Sequence, residues 1–283
     1  TISRQALPDP VHEIAQIVPG TSKALLILSN GEMINLDESD AFSKKMDGAI
    51  IRSDNKQLSY HSDKQTGKTK FNTLKIPRGA EYFVILSDST RVWLNSETTL
   101  KYPVVFESGP RIVQLTGEAY FEIAPDKEKP FIVLTEDQKV EALGTAFNIN
   151  SYAENQSIQT TLVEGKIKVY PENKSEKGVV LDPGQQAVYL PGEDIIEVHN
   201  VNIDEYISWK DGFFHFREKS LKEMMVTLGR WYDINAEFED SSKAEIKFTG
   251  VIKRYEEFNR ILELLEKTEE VKFEIDNKDV SIK

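Results

Sequence analysis

Leu115-Thr116-Gly117-Glu118-Ala119-Tyr120-Phe121-Glu122-Ile123 opens the series that decides the fold. A leucine, a short turn and a glycine precede a run of strand-forming residues. The unit returns three times: Leu143 and Gly144 before Thr145–Ile149, Leu162 and Gly165 before Lys166–Tyr170, Leu181 and Gly184 before Gln185–Leu190. The glycines stand 27, 21 and 19 residues apart, so the period is loose. Glycine fits a corner whose backbone shape other residues resist. Recurring corners before strands predict stacked β layers, solenoid-like or a sandwich, with the solenoid-like form preferred.

The stretches before this series are also β-rich. Ala24–Leu28, Ser29-Asn30-Gly31 and Glu32–Leu36 read as a hairpin, because Asn-Gly supplies the positive φ a tight turn needs. Ile50–Arg52 and Gln57–Tyr60 around Asp54-Asn55 read as a second, and Tyr82–Leu86 with Arg91–Leu94 around Ser87-Asp88-Ser89 as a third. Ile27-Leu28-Ser29-Asn30 matches Ile85-Leu86-Ser87-Asp88, which predicts two hairpins of similar design.

The pattern changes near Asn200. Phe213–Phe216 reads as a strand. Ser220 and Glu223 form a capping box that opens a helix with Leu221, Met224, Met225, Leu228, Trp231 and Tyr232 on one stripe. Ile234, Ala236 and Phe238 alternate as a strand, as do Ile246 and Phe248. Phe258, Ile261, Leu262 and Leu265 form a second helical stripe, followed by strands at Val271–Ile275 and Val280–Ile282. Two βαβ halves predict a two-layer domain with its helices on one face of a small sheet. The fold class is therefore mainly β, followed by a small α+β domain with two βαβ motifs.

Composition narrows function. With 35 basic and 47 acidic residues in 283, the net charge is −12. Such a balance gives no electrostatic reason to bind nucleic acid or anionic lipid. The absence of cysteine excludes disulfides, thiolate metal sites and cysteine nucleophiles. No run of 18 apolar residues occurs. The sequence opens at Thr1 without methionine or a signal-peptide pattern, and is expected to be a piece of a longer chain.

Catalytic signatures are missing. His12, His61, His199 and His215 have no second histidine at metal-ligand spacing, and His215 is expected at the surface, opposite Phe214 and Phe216. No nucleophile elbow or phosphate loop occurs, and Asp37–Asp40 and Asp54-Asn55 lack calcium-loop spacing. The run Lys64–Lys70 is basic but lacks an aromatic residue for stacking on bases. Glu118 and Glu122 share parity on one strand, which suits either an acid–base pair or, preferably, a solvated acidic face. Trp93 and Trp231 are expected to pack. Trp209 is the tryptophan expected to be exposed, or else a plug between domains. The chain is expected not to be an enzyme and to need no cofactor.

Val84-Ile85-Leu86-Ser87-Asp88-Ser89-Thr90-Arg91-Val92-Trp93-Leu94-Asn95-Ser96 resembles the opening signature of the FecR domain, with Ser89 where that family usually has glycine. The four glycine units and Lys129-Pro130-Phe131-Ile132-Val133 match the same family pattern in order. Trp209-Lys210-Asp211-Gly212, Trp231-Tyr232-Asp233 and Phe248-Thr249-Gly250 resemble the domain that follows FecR domains in Bacteroidetes-type proteins, similar to the short signalling domain of secretins and TonB-dependent transducers. The resemblance covers roughly residues 72 to 283. It implies the periplasmic region of a single-pass inner-membrane anti-sigma factor, with the membrane helix and the cytoplasmic segment that holds an ECF-type sigma factor missing. The implied partner is the N-terminal signalling domain of a TonB-dependent outer-membrane transducer.

The expected organisation is a hairpin leader over 1–71, a FecR-type β domain over 72–199, a linker over 200–211 and a βαβ-βαββ signalling-type domain over 212–283. Trp209, Phe213, His215 and Phe248 are the candidate partner-binding residues, on open sheet edges or an apolar seam. The alternative is a periplasmic carbohydrate-binding module built on Trp93 and Trp209.

Overall fold

The computed structural model describes residues 17–37, 41–54, 56–62, 68–172, 178–193 and 195–283. His12, Asn55, part of the acidic run 37–40 and part of the basic run 64–70 lie outside the described residues.

Two β layers share one core. The chain starts with β1 (Thr21–Ser22), then sets β2 (Ala24–Ile27) and β3 (Met33–Leu36) in layer one. β4 (Phe42–Met46), β5 (Ala49–Asp54) and β6 (Gln57–Ser62) lie in layer two. β7 (Phe71–Lys75) returns to layer one, β8 (Ala80–Ile85) and β9 (Arg91–Leu94) to layer two, and β10 (Thr99–Pro103) to layer one. β11 (Arg111–Glu122) belongs to both: its first half pairs with β10 and with β12 (Phe131–Leu134), its second with β9 and with β14 (Ala146–Ser151). The chain then alternates in pairs. β12 and β13 (Gln138–Ala142) lie in layer one, β14 and β15 (Ile158–Glu164) in layer two. β16 (Ile167–Pro171) and β17 (Val179–Leu181) follow in layer one, β18 (Gln185–Leu190) and β19 (Ile195–Asn200) in layer two.

All four motif glycines sit where the chain crosses between layers. Gly117 is the bend inside β11, Gly144 joins β13 to β14, Gly165 joins β15 to β16, and Gly184 joins β17 to β18. At Gly117 the need is specific: φ is +97°, and a Cβ would stand 2.6 Å from Thr98 Oγ1. Gly165 (φ +87°) would set a Cβ 2.6 Å from Thr145 Cγ2. In cross-section the body is a sandwich; along the chain it advances by repeated crossings, as the glycine pattern predicts.

Between the layers lie Leu26, Leu74, Leu100, Val133 and Val140 from one side and Ile51, Leu58, Val84, Val92 and Phe147 from the other. The strands before residue 72 thus contribute to the same core as those after it. The predicted hairpin repeat is real in its backbone. Gly31 N–H donates to Leu28 O and Leu28 N–H to Glu32 O; Ser89 N–H donates to Leu86 O and Leu86 N–H to Thr90 O. Gly31 and Ser89 both have positive φ, +87° and +72°.

Residues 204–211 form the short helix α1 (Asp204–Ile207) and a 3-10 turn, Ser208–Asp211. Then come β20 (Phe213–Ser220), α2 (Leu221–Tyr232), β21 (Asn235–Phe238), β22 (Lys247–Lys253), α3 (Phe258–Glu266), β23 (Phe273–Asp276) and β24 (Asp279–Ile282). The capping box forms as predicted: Ser220 Oγ accepts from Glu223 N–H while the Glu223 carboxylate accepts from Ser220 N–H. Both helical stripes are buried in one core with Phe214, Phe216, Val280 and Ile282.

One expectation needs correction. The strands do not make a single small sheet. β20 pairs with β22, while β21 runs parallel to β24, which also pairs with β23. Each helix therefore links strands of different sheets. Alternation specifies which side chains point inward, and carries no record of which backbone edges meet.

Candidate functional site

The C-terminal domain meets the β body through three arginines. Arg254 follows β22, and its backbone is held by its own domain: its N–H donates to Gly212 O, and its carbonyl accepts from Trp231 Nε1–H and from Tyr232 O–H. Its side chain enters the β body and is fully buried. The guanidinium stacks on Trp231, 3.8 Å from the ring centroid, with Trp209 and Phe214 at 5.6 and 5.3 Å. Burial lowers its pKa and the nearby Glu81 carboxylate raises it. A guanidinium stays charged through such shifts, so the slot holds a permanent cation.

A closed ring of hydrogen bonds surrounds that cation. Arg254 Nη2–H donates to Asn95 Oδ1 at 3.0 Å, and Asn95 Nδ2–H to Glu118 Oε2 at 2.8 Å. Asn148 Nδ2–H donates to Glu118 Oε1 at 3.0 Å, and Trp209 Nε1–H to Asn148 Oδ1 at 3.2 Å. Arg254 Nη1–H donates to Trp209 O at 3.1 Å and closes the ring. Glu81 lies 3.4 Å from Arg254 Nη2 and accepts from Tyr255 O–H at 2.6 Å. Arg254 Nε alone of the guanidinium nitrogens is buried without a hydrogen bond, and the ring formed by the other two is specific for one arrangement.

The other two arginines exchange across the junction in opposite directions. Arg78, between β7 and β8, donates to Gly229 O at 2.7 Å and Ile234 O at 2.6 Å, and pairs with Asp233 at 3.0 Å. It thus places a cation at the C-terminal end of α2, the end where a helix favours positive charge, on Gly229 O, which also accepts from the Asp233 and Ile234 N–H groups, and on Ile234 O just beyond the helix. Arg230, from the last turn of α2, lies 3.8 Å from the Tyr152 ring centroid and pairs with Glu154 and Glu97. The Glu154 carboxyl is held below its ordinary pKa: burial, the largest single influence, acts against this, and the Arg230 hydrogen bond, a backbone hydrogen bond and the charges of Arg230 and Arg78 together outweigh it.

Residues 204–211 cover the outer face of layer two. Trp209 packs with Tyr120 and Ala146, beside Trp93, Val163 and Ile207. Trp209 is only 8% exposed, so the expectation of a solvent-facing tryptophan is overturned and the plug reading stands. Trp231 is buried, and half-buried Trp93 packs against Phe83 and Tyr120 under Lys210. The tryptophans thus offer no stacking platform, which removes the observation behind the carbohydrate reading.

Glu118 also departs from expectation. It is 9% exposed rather than on a solvated face, and both its oxygens accept amide hydrogen bonds. Glu122 pairs at the surface with Arg91 at 3.7 Å. The two carboxylates therefore serve different partners.

Phe213 is 39% exposed; His215, half-buried, faces outward opposite Phe214 and Phe216; Phe248 is half-buried against the C-terminal core. The structure brings Phe213, His215 and Phe248 onto the β20–β22 pair and places Trp209 beneath the junction instead. Asn95, Asn148, Arg78 and Arg254 were not among the predicted site residues. A signal for the first two exists: Ala119–Phe121 and Ala146–Phe147 are apolar at consecutive strand positions, and a strand apolar on both faces needs a second cover. Nothing in the chain singles out Arg254 among its cations.

Among the described residues no helix is long and apolar enough to cross a membrane. No curated protein matches this sequence. Two crystal structures, at 1.65 and 2.50 Å resolution, of a protein from Parabacteroides distasonis ATCC 8503, provisionally named an anti-sigma factor, are similar in fold. Their TM-scores are 0.68 and 0.67, each at 24% identity, covering 75% of this chain and 98% of that one. At that identity the likeness speaks for the fold. The family described as FecR protein matches residues 72–168, and that described as FecR, C-terminal matches residues 213–282. Asn95, Glu118 and Asn148 fall within the first match and Arg254 within the second, so the hydrogen-bonded ring joins the two matched regions, and the chain belongs to the FecR family of signalling regulators.

Proposed function

We propose that this chain is the periplasmic sensor region of a transmembrane anti-sigma factor. It relays a signal from a TonB-dependent outer-membrane transducer to a cytoplasmic ECF-type sigma factor by protein–protein interaction. The β body over residues 17–200 and the C-terminal domain from 212 onward act as one docked unit. The sigma factor is held by a segment outside this sequence.

The observation that carries this reading is the β20–β22 pair. α1 and the 3-10 turn pack beside β20, whereas β22 pairs only with β20 among the described strands. A strand with one unpaired edge accepts a partner strand through its free N–H and C=O groups. Beside that edge the outer face carries Phe213, His215 and Val251, the last 60% exposed. Apolar side chains flanking an open edge suit a partner that adds a strand and covers them. The regulatory family and the buried, fully bonded Glu118 fit a relay rather than a catalyst.

The test is calorimetric titration of this chain with the isolated N-terminal signalling domain of the transducer encoded beside its gene. Binding in the micromolar range is expected, weakened at least tenfold by Val251→Asp. Absence of binding to every transducer encoded beside it would sink the proposal. A sigma-factor gene before it and a TonB-dependent transporter gene after it are expected.

A further inference from the structure

The first described residues lie across the junction and touch both parts. Ile17 packs against the core of the C-terminal domain. Gly20 is buried against Trp231: a Cβ there would lie 2.7 Å from two carbons of the indole and 2.9 Å from the Gly79 carbonyl carbon. Three residues cannot come so close unless one lacks a side chain. The chain then joins the β body, with Thr21 and Ser22 parallel to Ala80 and Glu81. Thr21 N–H donates to Gly79 O at 3.0 Å, and Lys23 N–H to Glu81 O at 3.3 Å.

The segment that receives this strand is gripped from the other side by the C-terminal domain. Gly79 N–H donates to Arg230 O at 2.7 Å, in the last turn of α2. Glu81 meets Arg254 and Tyr255. Arg78, one residue before Gly79, caps α2. Residues 78–81 are thus shared: one side bonds β1, the other bonds the C-terminal domain. A two-residue strand has too few bonds of its own to stay paired without packing. The residues just before it supply packing, Gly20 on Trp231 and Ile17 on the C-terminal core.

We propose that residues 17–22 are a strap locked by the docked C-terminal domain, so that undocking this domain at Arg254 releases the strap from residues 79–81 of the β body. The strap stands on these contacts; only its purpose rests on the signalling reading, in which a partner bound to the C-terminal domain would alter the hold on residues 17–22. Coupling of this kind is reciprocal: whatever disturbs the strap must loosen the docked domain by the same factor.

The test is amide hydrogen exchange by NMR on the whole chain, without any partner, so that failure to bind a transducer leaves it intact. Arg254→Met, which keeps most of the volume and removes the hydrogen bonds, is expected to speed exchange at Thr21, Lys23 and Gly79 at least tenfold. Val84 and Ile149, within the β body, keep their wild-type rates. Arg254→Lys, a milder change, gives a smaller rise in the same three amides. In the reverse direction, Gly20→Ala speeds exchange at Gly79. The proposal is overturned if Thr21 and Lys23 keep wild-type exchange in both Arg254 variants, whether or not Gly79 accelerates. It is equally overturned if Gly20→Ala speeds Thr21 while Gly79 stays protected.

Discussion

Replacing Arg254 with alanine tests the junction where its charge is concentrated. The change removes hydrogen bonds to Trp209 O and Asn95 Oδ1, the ion pair with Glu81, and the stack on Trp231. Hydrogen bonds to charged groups are worth about 1.5–3 kcal/mol each, and a desolvated cation–π contact about 2. The sum overstates the loss, because releasing a buried guanidinium returns several kcal/mol of hydration. Breaking a buried charged cluster from one side costs about 3–5 kcal/mol when the partners are stranded. Here they are not: Asn95 Oδ1 still accepts from Ser96 N–H, and Glu81, 26% exposed, keeps Tyr255 and can rehydrate. The lower end applies, about 3 kcal/mol, or roughly a hundredfold in the docked-to-undocked ratio. Urea unfolding followed by tryptophan fluorescence reads this directly, since Trp209 and Trp231 both line the slot. Arg254→Met, which fills the slot without charge, is expected to recover up to half of the loss, leaving the docked-to-undocked ratio still at least tenfold lower. An Arg254→Ala protein with an unchanged urea profile would refute the role given to Arg254 at the junction.

Three further outcomes follow from local geometry. Burial pushes the Tyr60 hydroxyl up to about 12, against its hydrogen bonds with Tyr102 and Asn72, which act to lower it. The neutral form is the one folding favours, so this stability is complete below pH 10 and is lost as pH rises through 10 toward 12. The loss is about 3 kcal/mol for two units; urea midpoints across pH 9–12 check it, and Tyr60→Phe should flatten the decline. Ser220→Ala removes one half of the capping box on α2 and should cost about 1 kcal/mol in chemical denaturation. Ser89→Gly should stabilise the chain by roughly 0.5–1 kcal/mol, read as a higher melting temperature, because Ser89 sits at φ +72°.

The β body was largely legible because its corners are chemically marked. Gly117, Gly144, Gly165 and Gly184 each stand at a layer crossing, and a positive φ is a demand that one residue type meets best. Ser89 was visible for the same reason, as an exception to that rule. The helices of the C-terminal domain were legible through stripe and cap. Its sheet pairing was not, since hydrogen bonding between backbone edges leaves no trace in side-chain alternation. The junction was half legible. Asn95, Glu118 and Asn148 stood in the quoted motifs, but a polar residue in a strand reads as solvated until its cover is known. Trp209 looked exposed because it follows a linker, and is buried because 204–211 fold back over Tyr120 and Ala146. Arg254 was invisible: its role depends on residues more than 100 positions away, and only the folded chain brings Asn95 to it.

If the docked C-terminal domain presents β22 to a transducer's signalling domain, hydrogen exchange of this chain with and without that domain will show it. New protection is expected in the amides of Lys247–Lys253. Protection confined to the β body, or no protection at saturating partner, would contradict it.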